Sequence, residues 1–396
     1  MAKVLFLAHR YPYPPNKGDK IRAFHIAEHL RQAHDVSLGF VTTPGDDPPD
    51  LKWLASFRSH HGGQVRRMER FTRAGMAIVT GSPLSVATFR DDRLKSWVET
   101  IVRKERPDVI YVFSSAMAQY VPATLPAGTR LLLDFVDVDS EKWRQYAETQ
   151  SHVRRWFFAL EARRLRAFDR AQAARAQASI FVSENEKRMF DRLSPETAST
   201  HVAIANGVDL AFYDPARVAG EPKADTIVFV GMMDYWPNID AVTWFAKDIL
   251  PLVQAKHRSA KFQIVGARPR AAVVALRERN GVEVTGAIAD VRPYVAAAAV
   301  VVAPLRIARG IQNKVLEGMA MARPVVTTPA ALEGIDAVAG RDVLVGETPT
   351  AFAAHVSSVL DGRAQTLGAA ARSFVAAHFD WQKNLRKLDA LITGAS

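Results

Sequence analysis

Short apolar runs alternate with amphipathic helical stretches along almost the whole chain, in two successive series. In the first series the runs are Val4–Ala8, Val36–Val41, Val109–Phe113, Arg130–Phe135 and Ser179–Val182. Helical patterns lie among them at Lys20–Arg31, Leu94–Lys104 and His152–Gln177. Strands covered on both faces read as continuous apolar runs, and a helix between two strands returns the chain for parallel pairing. Near Asn206-Gly207-Val208-Asp209 the pattern pauses, and Pro215, Gly220 and Pro222 mark a linker. The alternation restarts at Thr226–Val230 and continues through Phe262–Val265, Val282–Thr285, Val300–Ala303, Val325–Thr327 and Val343–Val345. The sequence therefore predicts an α/β protein with two doubly wound, Rossmann-like domains, residues 1–206 and 226–378. A linker at 207–225 joins them, and the segment 379–396 holds a last amphipathic helix, Trp381–Ile392. The 396 residues leave room for two cores.

Several chemistries drop out. No G-x-G-x-x-G follows a strand, and no P-loop, G-x-S-x-G elbow or H-E-x-x-H occurs. The chain has no cysteine, which excludes disulfides, thiolate zinc sites and a cysteine nucleophile. His25 and His29 stand one helical turn apart, but two ligands do not complete a metal site, so no metal is expected. Met1–Ala8 reads as a first buried strand rather than a signal peptide, and no run approaches the ~18 apolar residues of a spanning helix. A cytoplasmic protein is expected. The net charge of +11 attracts phosphates, anionic lipid or nucleic acid, or simply reflects arginine-rich composition. No nucleic-acid module accompanies it, so nucleic acid is not an expected partner.

In open parallel sheets, ligands bind beyond the carboxyl ends of the strands. The run Val300–Pro304 is followed by Leu305-Arg306-Ile307-Ala308-Arg309-Gly310, and a helix is expected at Ile311–Met321. This suits a diphosphate. Gly310 permits close backbone approach, and the helix N-terminus offers N–H groups and a partial positive charge. Arg306, Arg309 and Lys314 add fixed charge, and the Glu317 carboxylate can accept two hydrogen bonds from a ribose diol. The plainer reading is a surface loop with Glu317 in a salt bridge.

Two N-terminal features also follow strands. One is His9–Lys20, a proline-stiffened loop in which Gly18 starts a helix and Asp19 is placed as its N-cap. The other is Asp137-Val138-Asp139, which reads either as a metal-binding D-x-D, two carboxylates that could hold a divalent cation, or as a helix cap with Ser140. Basic and aromatic residues combine at Arg66, Arg67, Arg70 and Arg73 and at Arg154-Arg155-Trp156-Phe157-Phe158 with Arg163-Arg164. They suit an anionic membrane surface, or else a solvated helix with Trp156 and Phe158 in the core.

The segment Lys314-Val315-Leu316-Glu317-Gly318-Met319-Ala320, followed by Arg323-Pro324-Val325-Val326, resembles the nucleotide-sugar motif of the retaining GT-B glycosyltransferases of family 4. Further landmarks of that family fall in order: Ser183-Glu184, Asn206-Gly207-Val208-Asp209, Phe229-Val230-Gly231, Phe262–Gly266 and Val284-Thr285-Gly286. The resemblance spans nearly the whole chain. It is closest to sugar transferases of PEP-CTERM/exosortase exopolysaccharide loci, through the run Pro14–Arg22 and Asp137–Trp143. Two positions depart from the pattern. Arg309 stands where the family has the first Glu of its E-x7-E motif, and Gly231 is followed by Met232-Met233-Asp234 rather than by Arg or Lys.

The resemblance implies a GT-B fold whose domains face a cleft, with the C-terminal helix returning to the N-domain. It implies a glycosyltransferase that moves a sugar from a nucleotide diphosphate-sugar to a glycan or lipid-linked acceptor, without a metal cofactor. Arg309, Lys314, Asp137 and Asp139 would be catalytic. Gly18, Gly231, Arg306, Gly310, Ile311, Gln312 and Glu317 would bind the donor, and Asp19, Lys20, Arg22 and Glu184 would line the acceptor side. The alternatives are a nucleotide-sugar 2-epimerase of the same fold, a metal-dependent D-x-D transferase, and a non-catalytic glycan- or partner-binding protein.

Overall fold

A computed structural model describes residues 1–15, 18–43, 46, 48–65, 81–148, 152–218, 223–308 and 310–394; the side chains of Asp19, His152 and Val153 fall outside that description. The chain forms two compact units: Met1–Ala205 with Gln382–Ser396, and Asn206–Trp381.

The first unit is built on seven parallel strands: β1 (Lys3–Ala8), β2 (Asp35–Thr42), β3 (Ser59–Gln64), β4 (Val109–Phe113), β5 (Arg130–Val136), β6 (Ala178–Phe181) and β7 (His201–Ala203), in the order β3-β2-β1-β4-β5-β6-β7. All the residues of β4 and β6 are buried, as double-sided coverage requires. One face of the sheet packs Leu5, Leu7, Ile110, Val112, Leu131 and Leu133 against Leu94, Val98 and Val102 of the helix Asp92–Glu105. The final helix, Trp381–Thr393, is tied into this unit at its end. Arg130 donates to the carbonyls of Leu391, Ile392 and Thr393, and His29 meets Asp389 at 2.6 Å.

The expected strands are all present, with ends shifted by up to three residues. The edge strands β3 and β7 have no counterpart in the sequence reading. β3 reads Ser-His-His-Gly-Gly-Gln and is mostly solvent-facing, so it carries no apolar run to detect.

The second unit has six parallel strands: β8 (Lys223–Val230), β9 (Lys261–Val265), β10 (Val282–Gly286), β11 (Ala298–Ala303), β12 (Val325–Thr327) and β13 (Leu344–Val345), in the order β10-β9-β8-β11-β12-β13. Its N-terminal segment belongs to it. Val208 donates to the Phe379 carbonyl, and Arg372 donates to the Tyr213 carbonyl and pairs with Asp214. In each unit the strand order reverses direction once, between β1 and β4 and between β8 and β11. Those are the points where a crevice opens at the carboxyl ends of the strands.

Candidate functional site

In the second unit the crevice is framed by the loop after β8 and the loop after β11. The expected helix start at Ile311 is corrected to Asn313, because Gly310 takes a left-handed φ of 64° and Gln312 is extended. Only glycine adopts the Gly310 conformation without strain. Gly310, Ile311 and Gln312 thus form the approach to the helix Asn313–Ala320. Ile311 faces Gly334, and the Gln312 amide donates to the Gly310 carbonyl at 3.1 Å. Val315, Leu316, Met319 and Ala320 are buried against the sheet, which turns Lys314 and Glu317 together to the other side, one helical turn apart.

The Lys314 ammonium donates to Asn238 Oδ1 at 2.7 Å and lies 5.0 Å from the centre of the Phe229 ring. Asn238 is buried on the helix Trp236–Trp244, and its Nδ2 donates to the Met232 carbonyl at 2.9 Å. Gly231 is needed beside it, since a Cβ there would lie 2.7 Å from Asn238 Nδ2. Burial pulls the Lys314 pKa down to about 8, the Glu317 charge opposing the fall. Burial also raises the Glu317 pKa, against the opposing pull of Lys314 and a hydrogen bond from the Tyr213 hydroxyl. The result is an ammonium and a carboxylate, poorly solvated and close together, at the mouth of a helix N-terminus.

Arg306 does not stand as a free charge. Its Nε donates to Asp240 Oδ2 at 3.0 Å, and its guanidinium lies 5.4 Å from the centre of the Trp244 ring. A half-exposed, paired guanidinium is a weaker diphosphate ligand than the sequence implies, because the Asp240 carboxylate already occupies it. Arg309 lies outside the described residues.

The first unit carries a separate polar cluster. Non-glycine residues with positive φ end two neighbouring strands, Ser114 at 73° after β4 and Val136 at 67° closing β5. Such conformations cost on the order of 1–3 kcal/mol and persist where the surroundings impose them. Here Ser114 N–H donates to the Asp134 carbonyl, and Val136 N–H donates to Asp134 Oδ1 at 3.0 Å. The turn delivers Asp137 and Asp139 to one lysine, Lys142, at 2.7 and 2.9 Å. Burial would lower the Lys142 pKa, but Asp139 and Asp137 outweigh it and hold the ammonium charged. Glu186 joins them by accepting the Val138 N–H at 2.7 Å, and burial raises its pKa. Asp139 lies within the first turn of the helix Asp139–Glu148. Among the described residues, no group of three His, Cys, Asp or Glu is placed to hold a metal ion.

Three acceptor-side residues, Arg22, Lys20 and Asp19, lie on one helix, Gly18–Ala33. Arg22 is buried at 1% exposure, with Nε and Nη2 on Asp134 at 3.0 and 2.9 Å and Nη1 donating to the Ile204 carbonyl at 2.9 Å. Lys20 is buried as well, near the Asp46 carboxylate. Burial would raise the Asp46 pKa, but Thr43 donors and the charges of Lys20 and Arg10 pull it down. Arg22 thus finds its counter-charge on the sheet beneath its helix. Third, the helix begins at Gly18, which puts Asp19 in the first turn rather than before it; the Asp19 side chain is outside the described residues. Gly18 is exposed at the helix start, and Glu184 is exposed in the first turn of the helix that Ser183 caps. Asn238, Tyr213 and Glu186 were not picked out by sequence. Asn238 follows Pro237 at a helix start and Tyr213 lies four residues after Asp209, neither of which signals a polar partner.

Trp156 is 67% exposed rather than in the core, beside exposed Arg154 and Arg155. Arg66, Arg67, Arg70 and Arg73 lie outside the described residues. Among the described residues, no helix is long and apolar enough to cross a membrane.

Residues 224–362 match the family model described as Glycosyl transferases group 1. No curated protein matches the sequence. Among solved structures, sucrose-phosphate synthase from Thermosynechococcus elongatus is similar at 16% identity with a TM-score of 0.70, each chain covering 100% of the other. Anabaena Alr3699/HepE in complex with UDP-glucose matches at 15% identity and 0.64, also over 100% of both chains. A glycosyltransferase from Rickettsia africae matches at 15% and 0.65, over 100% of this chain and 99% of its own. The chain is thus similar to the glycosyl transferases group 1 over residues 224–362, and its fold throughout is that of the GT-B glycosyltransferases.

Proposed function

We propose that the protein is a retaining glycosyltransferase of family 4 that takes a sugar from a nucleotide diphosphate-sugar. The observation that carries this is the pairing of Lys314 and Glu317 on one face of a helix at the carboxyl-end crevice of the second sheet. The ammonium meets the diphosphate and the carboxylate meets the ribose hydroxyls. Arg309, with the first N–H groups of the helix, adds charge against the departing diphosphate, the interaction that stabilises the transition state. Gly231 and Gly310 let backbone approach the donor. Arg306 contributes once it exchanges Asp240 for phosphate.

The acceptor is a glycan or lipid-linked saccharide in exopolysaccharide synthesis, of the kind made at PEP-CTERM loci. Asp137 and Asp139 orient its hydroxyl, and Lys142 pairs with both carboxylates. Glu184 frames the same side. The reaction needs no metal, the leaving phosphate accepting the acceptor proton on the face where the new bond forms. The protein acts in the cytoplasm, resting on the anionic inner face of the membrane through Trp156, Arg154 and Arg155. Exposed aromatic and basic side chains together support that contact.

Labelled UDP-, GDP- and ADP-sugars, incubated with and without glycan acceptors, test the reading. Acceptor-dependent transfer with the anomeric configuration kept, and insensitive to EDTA, supports it. Epimerised free product, release without transfer, or loss of activity on chelation overturns it.

A further inference from the structure

A short strap from Asp209 to Asp214 runs along the second unit and brings the Tyr213 hydroxyl to Glu317. Asp209 starts it, accepting N–H bonds from Ala211 at 3.0 Å and Phe212 at 2.8 Å. Two arginines from distant elements then fasten it. The Arg292 guanidinium lies 3.8 Å from the centre of the Phe212 ring and donates to the Phe212 carbonyl at 3.1 Å. Arg292 is itself aligned by Asp290, at 2.7 Å. On the other side, Arg372 donates to the Tyr213 carbonyl at 3.0 Å and pairs with Asp214 at 3.3 Å. The same Arg372 donates to the carbonyl of Ala320, the last residue of the Glu317 helix. The strap and that helix therefore share one fastener. Between the two arginines sits Tyr213, hydrogen-bonded to Glu317.

We infer that Tyr213 is the positioning residue of the donor site: its hydroxyl donates to Glu317 and turns the carboxylate towards the ribose of a nucleoside diphosphate. The inference rests on the donor-site reading above. A carboxylate in a poorly solvated place is driven towards its neutral form, in which one oxygen becomes a donor and no longer accepts from a sugar hydroxyl. A hydroxyl donor favours the charged form. Burial drives the Tyr213 hydroxyl far above its ordinary pKa, with Glu317 and Asp290 adding to the rise and Arg292 opposing it, so it remains a donor throughout the working range. The charged and titratable groups around the pair are Lys314 on the helix itself, Tyr213 on the strap, and Asp290 and Arg292 beside it. Of these, Lys314 and Tyr213 act directly on Glu317. Lys314 gives one N–H to Asn238 and acts on Glu317 through its charge, whereas Tyr213 hydrogen-bonds the carboxylate and so sets its orientation.

The test is nucleotide binding by calorimetry from pH 5.5 to 8.5, with Tm recorded for each variant. UDP, GDP and ADP are titrated into the wild-type protein, and the tightest binder and its 2′-deoxy form are carried forward. The wild type is expected to lose affinity on acidification and to prefer the ribonucleotide. Tyr213→Phe keeps its ring and fold, so Tm stays close to wild type. The variant is expected to bind about tenfold more weakly at pH 7, to lose affinity at a higher pH, and to discriminate less against the deoxynucleotide. Glu317→Gln should remove the acidic fall altogether. If Tyr213→Phe matches wild type in affinity, pH profile and discrimination while Glu317→Gln does not, Tyr213 has no positioning role and the donor site stands. If Glu317→Gln also matches wild type, or if none of the three nucleotides binds, the donor-site reading fails and this inference fails with it.

Discussion

Asn238 holds Lys314: its amide oxygen accepts from the ammonium at 2.7 Å, while its amide nitrogen donates to the Met232 carbonyl at 2.9 Å. One buried side chain thereby joins the loop after β8 to the helix after β11, the two edges of the crevice. Replacing Asn238 by alanine should weaken nucleoside diphosphate binding by about tenfold and lower stability by roughly 1–3 kcal/mol, since the Met232 carbonyl and the ammonium lose a partner. Calorimetry and denaturant unfolding measure the two effects. Asn238→Asp should restore the contact with Lys314 but raise its pKa, because a charge replaces a dipole.

With Lys314 as the proposed diphosphate ligand, its pKa of about 8 predicts an alkaline limit to binding. Below that pH the ammonium is charged and attracts phosphate; above it the charge is lost. Affinity for a nucleoside diphosphate should therefore fall as pH rises through about 8, and kcat/KM with it, since that ratio reports the free enzyme. Lys314→Met should bind weakly at all pH values and lack this fall. An alkaline fall that persists unchanged in Lys314→Met would assign it to another group.

The Arg22–Asp134 pair is buried within the first unit. Asp134 is fully buried and accepts from Arg22 and from the Tyr111 hydroxyl at 2.6 Å. Breaking a buried pair by removing one partner strands the other charge, at a cost of about 3–5 kcal/mol. Arg22→Met should therefore lower unfolding stability by that order. A full-stability variant with impaired acceptor use would return Arg22 to the acceptor side.

Asp169 is expected to make stability depend on pH. It is buried on the helix His152–Ala173, and its Oδ1 finds no hydrogen-bond partner among the described residues. Burial raises its pKa to about 8, against a hydrogen bond with Ser115. The folded protein thus binds a proton that the unfolded chain releases near pH 4. The resulting stability is present below about pH 4 and is lost as pH rises through about 8. Between pH 5 and 8 the loss is on the order of 4 kcal/mol, from 1.36 kcal/mol per unit. Asp169→Asn should flatten this dependence in denaturant titrations; an equal slope in both proteins would exclude Asp169 as its source.

The legible part of the fold was its interior. Val109–Phe113 and Val325–Thr327 match the strands residue for residue, because a strand covered on both faces must be apolar throughout. The edge strand Ser59–Gln64 was silent for the opposite reason: polar residues suffice where one side meets water. At the site, the Lys314–Glu317 spacing was readable because it lies within one helix. The occupancy of Arg306 by Asp240 and the burial of Lys20 and Arg22 were not, since each depends on a partner from another element.

By itself, then, the sequence determined the two parallel α/β units and the helix that carries Lys314 and Glu317, because apolar periodicity and helical spacing are local properties of the chain. Only the tertiary structure decided which polar side chains those two residues meet. Asn238 and Tyr213 reach them across the strand-order reversal and along a fastened strap. Such pairings follow from how crossovers and long arginines bring distant segments together, and no period in the sequence records them.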